Sequence, residues 1–413
     1  MKEGWEIKML SEIAEVGAGN SAPQKKELFI NGRHPFIRTS DVGQIRKGFI
    51  NSSVDNLNDE GIKKLKIKKK GTILFPKSGA STFLNHRVMM EIDGYVSSHL
   101  ATIKAKDSVA LDRYLLYFLI TIDAKDLMQD IAYPSLKISD ISAIEIPVPP
   151  LPEQQRIVSI LDQAFAAIDK AKANAEQNLQ NAKELFESYL QGVFEKKGDG
   201  WEERKLGDSD LLKIIDGDRG KNYPRKKDFL DEGHCLFMNT KNVRPDGFDF
   251  STTMFITKEK DNSMGKGKLE KNDVVLTTRG TIGNIGVNDD SVEYENIRIN
   301  SGMLIFRPNK KLIAPHYLFE VFRSGIFKEQ VKRYTTGAAQ PQLPIKTLVN
   351  FTIPVPITIE AQQSIVRQLD ALRTETQKLE AVYQKKIADL EELKKSILQK
   401  AFAGELKEKE VIV

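Results

Sequence analysis

The stretch Ile146 to Asp162, IPVPPLPEQQRIVSILD, returns as Ile353 to Asp370, IPVPITIEAQQSIVRQLD. Each copy opens a long helical pattern. The two patterns end alike, ELFESYLQGVF at Glu184 to Phe194 and ELKKSILQKAF at Glu392 to Phe402. A longer strand-like stretch precedes each, and these also begin alike, with GWEIKMLSEI at Gly4 and GWEERKLGDS at Gly200. A duplicated unit of roughly 200 residues is too long for a solenoid repeat. The repeat therefore predicts an α+β chain of two similar globular domains, each followed by a matched helix, with pseudo-two-fold symmetry.

The helices carry the clearest pattern. In the first, the core candidates are Ile157, Leu161, Ala164, Ile168, Ala171, Ala175, Leu179, Ala182, Phe186, Tyr189 and Val193. Adding 208 to each number gives Ile365, Leu369, Leu372, Thr376, Leu379, Tyr383, Ile387, Leu390, Lys394, Ile397 and Ala401, where only Thr376 and Lys394 depart from apolar or Tyr. A 3.5-residue apolar period means coiled-coil packing. A helix over residues 153–195 is about 65 Å long and needs a partner for its single apolar stripe. The matching copy in the same chain is the nearest one, which predicts an intramolecular antiparallel coiled coil. It also predicts that a fragment of residues 1–199 pairs with itself. The prolines before each helix (Pro147, Pro149, Pro150, Pro152; Pro354, Pro356) are incompatible with a helix interior and read as stiff hinges.

These readings divide the chain into a first globular domain over 1–150, a helix over 151–199, a second globular domain over 200–357, and a helix with tail over 358–413. Short strands punctuated by Gly, Asn and Asp mark both domains. Each domain carries one helix, Leu111 to Ile131 in the first and APHYLFEVFRSGIFKEQV in the second. Trp5 and Trp201, at equivalent starts, read as core anchors.

The net charge is +5. It divides as +3 over 1–150, about +4 over 196–360, −3 over 153–195 and +2 over 361–403. The globular parts are mildly basic, compatible with nucleic acid, and the two helices carry opposite charge. Nothing approaches the ~18 apolar residues that span a bilayer, no apolar run suits a signal peptide, and a single cysteine, Cys235, allows no internal disulfide. These features point to a cytoplasmic protein without membrane contact. No phosphate-loop motif is present; GKGK at Gly265 to Lys268 lacks the spacing and reads as a solvated turn. His34, His86, His99, His234 and His316 show no metal-ligand spacing, and no catalytic or metal-binding residue is assigned.

The segments that repeat, the helix ends SYLQGVF and SILQKAF, GWEIKMLSEI near the start and the globular–helix–globular–helix order together resemble the specificity subunit of type I restriction–modification enzymes. The resemblance covers essentially the whole chain. The second copy reads ITIEAQQ after Pro356 with one extra residue, which changes the hinge. The resemblance implies two target-recognition domains, each reading one half of a split asymmetric DNA sequence, and two conserved spacer helices. It implies a non-catalytic chain that docks two modification subunits using S-adenosylmethionine. Two restriction subunits, driven by ATP with Mg, join them. Half-site centres should then lie about one helical turn, ~34–36 Å, apart on double-stranded DNA.

The internal repeat then filters candidate DNA contacts. PKSG (Pro76 to Gly79) aligns with TTRG (Thr277 to Gly280), placing Lys77, Ser78, Thr278 and Arg279 at a strand end. RTSD aligns with NTKN, placing Arg38, Thr39, Ser40, Asn239, Thr240 and Lys241. The loop Thr335 to Gln342 resembles a DNA-facing loop of the family. It adds Thr336, Gln340 and Gln342, and its counterpart, Ala132 to Lys137, adds Lys137. Arg to guanine and Asn or Gln to adenine are the usual bidentate pairings. The Lys-rich run Ile62 to Gly71 reads as a solvated strand edge. Two other classes stay open at this level: a coiled-coil scaffold with protein-binding ends, and an enzyme acting alone.

Overall fold

In the computed structural model, residues 2–128, 134–198, 200–335 and 341–406 are described. The chain forms two compact units, Met1–Glu176 with Gln384–Val413, and Gln177–Tyr383. Two helices of 45 residues, Leu151–Glu195 and Ile359–Ala403, each contribute one half to either unit.

In the first unit, a five-stranded sheet runs Ala14–Ala18, Leu100–Ala105, Ile73–Pro76, Arg87–Met90, Lys47–Ile50. A smaller sheet of Asp55–Leu57, His34–Ile37 and Tyr95–Val96 accompanies it. The second unit repeats this plan. Its four-stranded sheet runs Leu212–Asp216, Met303–Pro308, Val274–Thr277, Ile285–Val287, beside a three-stranded sheet of Phe255–Ile256, Cys235–Met238 and Ile297–Ile299. The plans differ at one edge. Lys47–Ile50 pairs in parallel with Arg87–Met90, whereas Gly247–Phe248 forms a separate ribbon with Val243–Arg244.

Each domain is closed by a two-stranded antiparallel ribbon between its first and last strands. Glu6 faces Val148 in the first domain, and Trp201 faces Pro356 in the second. Prolines fit here because a two-stranded ribbon leaves outward positions that owe no hydrogen bond. A buried tyrosine ties the ribbon down in each case: the Tyr114 hydroxyl donates to the Pro147 carbonyl (2.6 Å) and the Tyr317 hydroxyl to the Pro354 carbonyl (2.7 Å). Trp5 is buried in the first core, and Trp201 packs against the second, its ring edge-on to Phe194.

A buried glutamine then joins each helix to its domain. Gln154 accepts from the Leu111 amide and donates to the Val109 and Pro149 carbonyls, each at 2.9 Å. Gln362 accepts from the Ala314 amide (2.7 Å) and donates to Leu312 and Pro356, both at 2.9 Å. Three bonds per side chain leave little of the amide unsatisfied, as burial requires. The extra residue of the second hinge is absorbed ahead of its helix: Ile357 is 61 % exposed, and its amide donates to the Gly200 carbonyl at 3.0 Å.

Within each unit the two helix halves run antiparallel. In the first, Arg156 reaches the Leu406 carbonyl, Lys172 pairs with Glu391, and Lys394 with Asp169 at 2.8 Å. In the second, Tyr189 bonds Gln368 (3.1 Å), and the Arg373 guanidinium covers the Phe186 ring at 5.1 Å. Ile157, Leu161, Ile168, Phe186, Leu369, Leu390 and Ile397 are buried, and Leu179, Ile365 and Ile387 are half-buried. The expected seam is corrected at two positions: Tyr189 is 39 % exposed, with Leu190 beside it buried, and the second is Leu379. Leu379 is 42 % exposed, while Thr376, which broke the apolar pattern, is buried with its hydroxyl on the Arg373 carbonyl. A helix of 3.6 residues per turn drifts off a 3.5-residue stripe over several turns.

Candidate nucleic-acid interface

In each domain, one turn between two strands gathers several segments that are distant in sequence. In the second domain this is Asn300–Gly302. The Asn300 amide donates to the Met238 carbonyl (3.0 Å), which brings up the Asn239–Asn242 segment. The Thr278 amide donates to Gly302 (2.8 Å), which brings up the strand end carrying Arg279. Thr240 and Arg279 flank Gly302 so closely that a Cβ there would sit 3.0 Å from Thr240 Cγ2 and 3.8 Å from Arg279 Cβ. Arg279 bridges to Gln342, and the Leu343 amide closes the link on the Thr278 carbonyl (3.0 Å).

The first domain builds the same arrangement around Ser97–His99. The Ser97 amide donates to the Ile37 carbonyl (2.9 Å), next to Arg38, and the Lys77 amide to the His99 carbonyl (3.0 Å). Ser78 bridges to Ser135, and the Leu136 amide donates to Lys77 (2.8 Å). Gly79 and Gly280, which follow the two strand ends, have φ of 76° and 74°. Glycine occupies that left-handed region without the penalty a Cβ brings.

The predicted residues divide by role. Ser40, Lys137, Lys241, Arg279 and Gln342 are exposed, and Thr39, Lys77, Ser78 and Thr240 are half-buried at the same turns. Three others are held by the framework. Arg38 pairs with Asp55 and lies over the Phe36 ring at 5.2 Å, so its guanidinium is spent inside the domain. Asn239 accepts from the Lys241 amide (2.8 Å) as a cap. Thr278 is buried, its hydroxyl on the Gly302 carbonyl at 3.2 Å. Thr336 and Gln340 lie outside the described residues. In the Lys-rich run, Lys69 pairs with Asp93 (2.8 Å), and burial lowers the affinity of Lys68 for its proton.

A further loop joins each surface without having been singled out from sequence. In the second domain it is Gly217–Asn222. Gly217 is pressed against the Asn300 carbonyl, with no room for a Cβ, and Arg219 reaches the Ser301 carbonyl at 3.4 Å. Buried Asp218 accepts from the amides of Gly220 (2.6 Å), Gly265 (2.7 Å) and Lys266 (3.3 Å). These bonds, the Gly220 amide first, hold its carboxyl below the usual range. An open cleft of about 580 Å³ lies here, with Arg219, Lys221 and Lys266 on its walls. The GKGK turn is thus part of this wall. In the first domain, Asn20 does the work of Asp218: its side chain brackets Lys66, accepting from the amide (2.9 Å) and donating to the carbonyl (3.0 Å). The available signal was a Gly before an Asn or Asp just past the first long strand in each copy, AGN at Ala18 to Asn20 and DGD at Asp216 to Asp218.

Among the described residues, no group of three or more His, Cys, Asp or Glu is placed to hold a metal ion, and no helix is long and apolar enough to cross a membrane.

Comparison with known proteins matches the type I restriction modification DNA specificity domain twice, over residues 2–179 and 198–390. The chain belongs to that family. Its function is DNA specificity in a type I restriction–modification system. Among similar specificity subunits, that of the type I restriction enzyme MjaVIII of Methanocaldococcus jannaschii is 25% identical, over 98% of this chain and 94% of the relative. The EcoBI specificity subunit of Escherichia coli is 28% identical over 63% of this chain and 58% of its own length. The fold is shared with the HsdS subunit from Thermoanaerobacter tengcongensis (TM-score 0.62, 21% identity, 98% of both chains). It is also shared with a chain solved in work on complex assembly and conformational transition of the type I R-M system (TM-score 0.78, 20% identity, 98% of this chain and 99% of that one).

Proposed function

We propose that this specificity chain reads a split, asymmetric duplex target, one half with each domain, and leaves the bases between the halves unread. The observation that carries the reading is the duplicated surface. Each domain gathers a strand-end turn, a capped segment, a return loop and a glycine-led loop around one turn, yet the exposed side chains differ. Arg279, Gln342 and Lys241 face out in one, Ser40 and Lys137 in the other, beside half-buried Lys77 and Ser78. Two like frames with unlike side chains suit two unlike half-sites.

Arg279 and Gln342, side by side on a bridge, are the bidentate base readers of the second half-site. Lys241 and the lysines of the cleft supply sequence-independent phosphate contacts. The half-site centres lie about one helical turn, ~34–36 Å, apart. The chain performs no chemistry. It docks two modification subunits, which methylate adenine with S-adenosylmethionine. It also docks two restriction subunits, which use ATP and Mg, and the assembly works in the cytoplasm.

The test is genome-wide sequencing of adenine methylation in cells with and without the gene, the modification partner present. Loss of a single split, asymmetric methylated motif is the expected result. A motif that persists without this chain, or a purified chain that methylates or cuts DNA unaided, overturns the reading.

A further inference from the structure

The two long helices are copies, but at the positions where they touch they are not interchangeable. Lys394 lies over the Phe165 ring at 4.6 Å in the first unit, and Arg373 over the Phe186 ring at 5.1 Å in the second. The 208-residue offset of the repeat maps Phe165 onto Arg373 and Phe186 onto Lys394. In both places, therefore, the first helix supplies the ring and the second the cation. The ion pair of Lys172 with Glu391 follows the same rule. Its images under the offset are Glu380 and Lys183, so the first helix carries Lys at both equivalent positions and the second carries Glu at both.

We infer that the spacer helices carry a hetero-pairing code, by which the first helix selects the second helix over another copy of itself. In the same antiparallel register, two first helices set Lys172 against Lys183 and lose both cation–π contacts. Two second helices set Glu380 against Glu391 and Arg373 against Lys394. Like charges face each other in either homotypic pair, and opposite charges or ring and cation in the heterotypic one. The partner this surface fits is thus the complementary half of a specificity chain. Self-pairing of a 1–199 fragment is the weaker alternative. The inference concerns pairing alone, so a failure of the DNA reading leaves it standing.

The test uses the full-length chain with a protease site in the exposed linker at Lys196–Gly198, cleaved after folding. The pieces are separated in urea, rejoined by dialysis, and counted by native mass spectrometry. The expected result is the mixed pair outnumbering the two homotypic pairs together by about tenfold, where random association gives parity. K172E/E391K keeps opposite charges across the mixed pair, but it gives each homotypic pair a Lys–Glu match. This variant should move the distribution toward random. A random distribution for the unaltered protein overturns the inference. A second measurement needs no refolding. In the intact chain, K172E and E391K should each lower the Tm, and the double variant should recover most of the loss. Absence of recovery removes the ion-pair half of the code.

Discussion

The junction between domain and helix is built twice, and the two versions agree in some bonds and differ in others. Tyr114 and Tyr317, and Gln154 and Gln362, make the same bonds to the same kinds of backbone carbonyl and amide. One turn along the same domain helix, the versions part. In the first, the Tyr117 ring meets Phe165 edge-on at 5.3 Å, and its hydroxyl reaches Asp162. In the second, Tyr117 is replaced by Glu320 and Phe165 by Arg373, and the two form a buried ion pair flanked by Arg323. Burial raises the proton affinity of the Glu320 carboxyl, against the pull of both arginines. Bonds to backbone survive duplication because any sequence offers the same carbonyls. A side-chain pair must change on both sides at once, and here both sides have changed.

The largest way to break this comparison is to exchange a domain. Replacing residues 200–357 with the corresponding part of another specificity chain should rewrite one half of the methylated motif and leave the other half untouched. Methylation sequencing reads this directly, and a change in both halves would show that the surfaces are not independent.

The next effect is in stability. R373A strands the buried Glu320 carboxylate, and breaking a buried pair from one side costs about 3–5 kcal/mol. E320Y/R373F, which copies the first junction into the second, should return to within about 1–2 kcal/mol of the starting protein. Denaturant unfolding measures both. A harmless R373A would mean that Glu320 is protonated or that Arg323 alone satisfies it.

A smaller effect separates the reading surfaces. R279A should cost about 1–3 kcal/mol of discrimination at one base pair of the second half-site. Competition binding with the modification subunit present measures this. The loss is expected in that half-site alone, since the first domain has Ser78 at the aligned position.

The smallest effect depends on pH. Asp218 and Asn20 tether equivalent loops, but only Asp218 titrates. Its folded pKa is depressed, so its contribution is complete above the ordinary carboxylate pKa and is lost as pH falls through the lower folded value. Protection of the Gly265 and Lys266 amides against hydrogen exchange, taken relative to the intrinsic rate at each pH, should therefore fall below about pH 4. The Lys66 amide, held by Asn20, should stay protected. D218N should abolish the difference between the two loops.

Much of this architecture was legible in the residues. The helices announce themselves by an apolar period preserved across 208 residues; the ribbons do not, since Pro147, Pro354 and Pro356, which read as hinges, lie within their strands. Frame residues repeat, so one copy validates the other. The reading surfaces were legible only in part. Arg38 looked outward in sequence, but its partner Asp55 arrives through strand pairing between His34–Ile37 and Asp55–Leu57. The turns at Ser97 and Asn300 carry no motif. They matter because backbone bonds converge on them, and convergence is a property of the fold. Leu379 fails for a similar reason: the stripe is locally correct, but helical drift turns it away from its neighbour.

The closing ribbons have a consequence for inheritance. Because Glu6 lies opposite Val148 and Trp201 opposite Pro356, the chain enters and leaves each domain through one doorway. The exit strand spells IPVP in both copies, at Ile146 to Pro149 and Ile353 to Pro356. A genetic crossover with its joints at that doorway delivers an entire reading head to a lineage in one event. What the event must still satisfy is the side chain waiting on the helix, Phe165 or Arg373, which accepts one kind of newcomer and rejects the other.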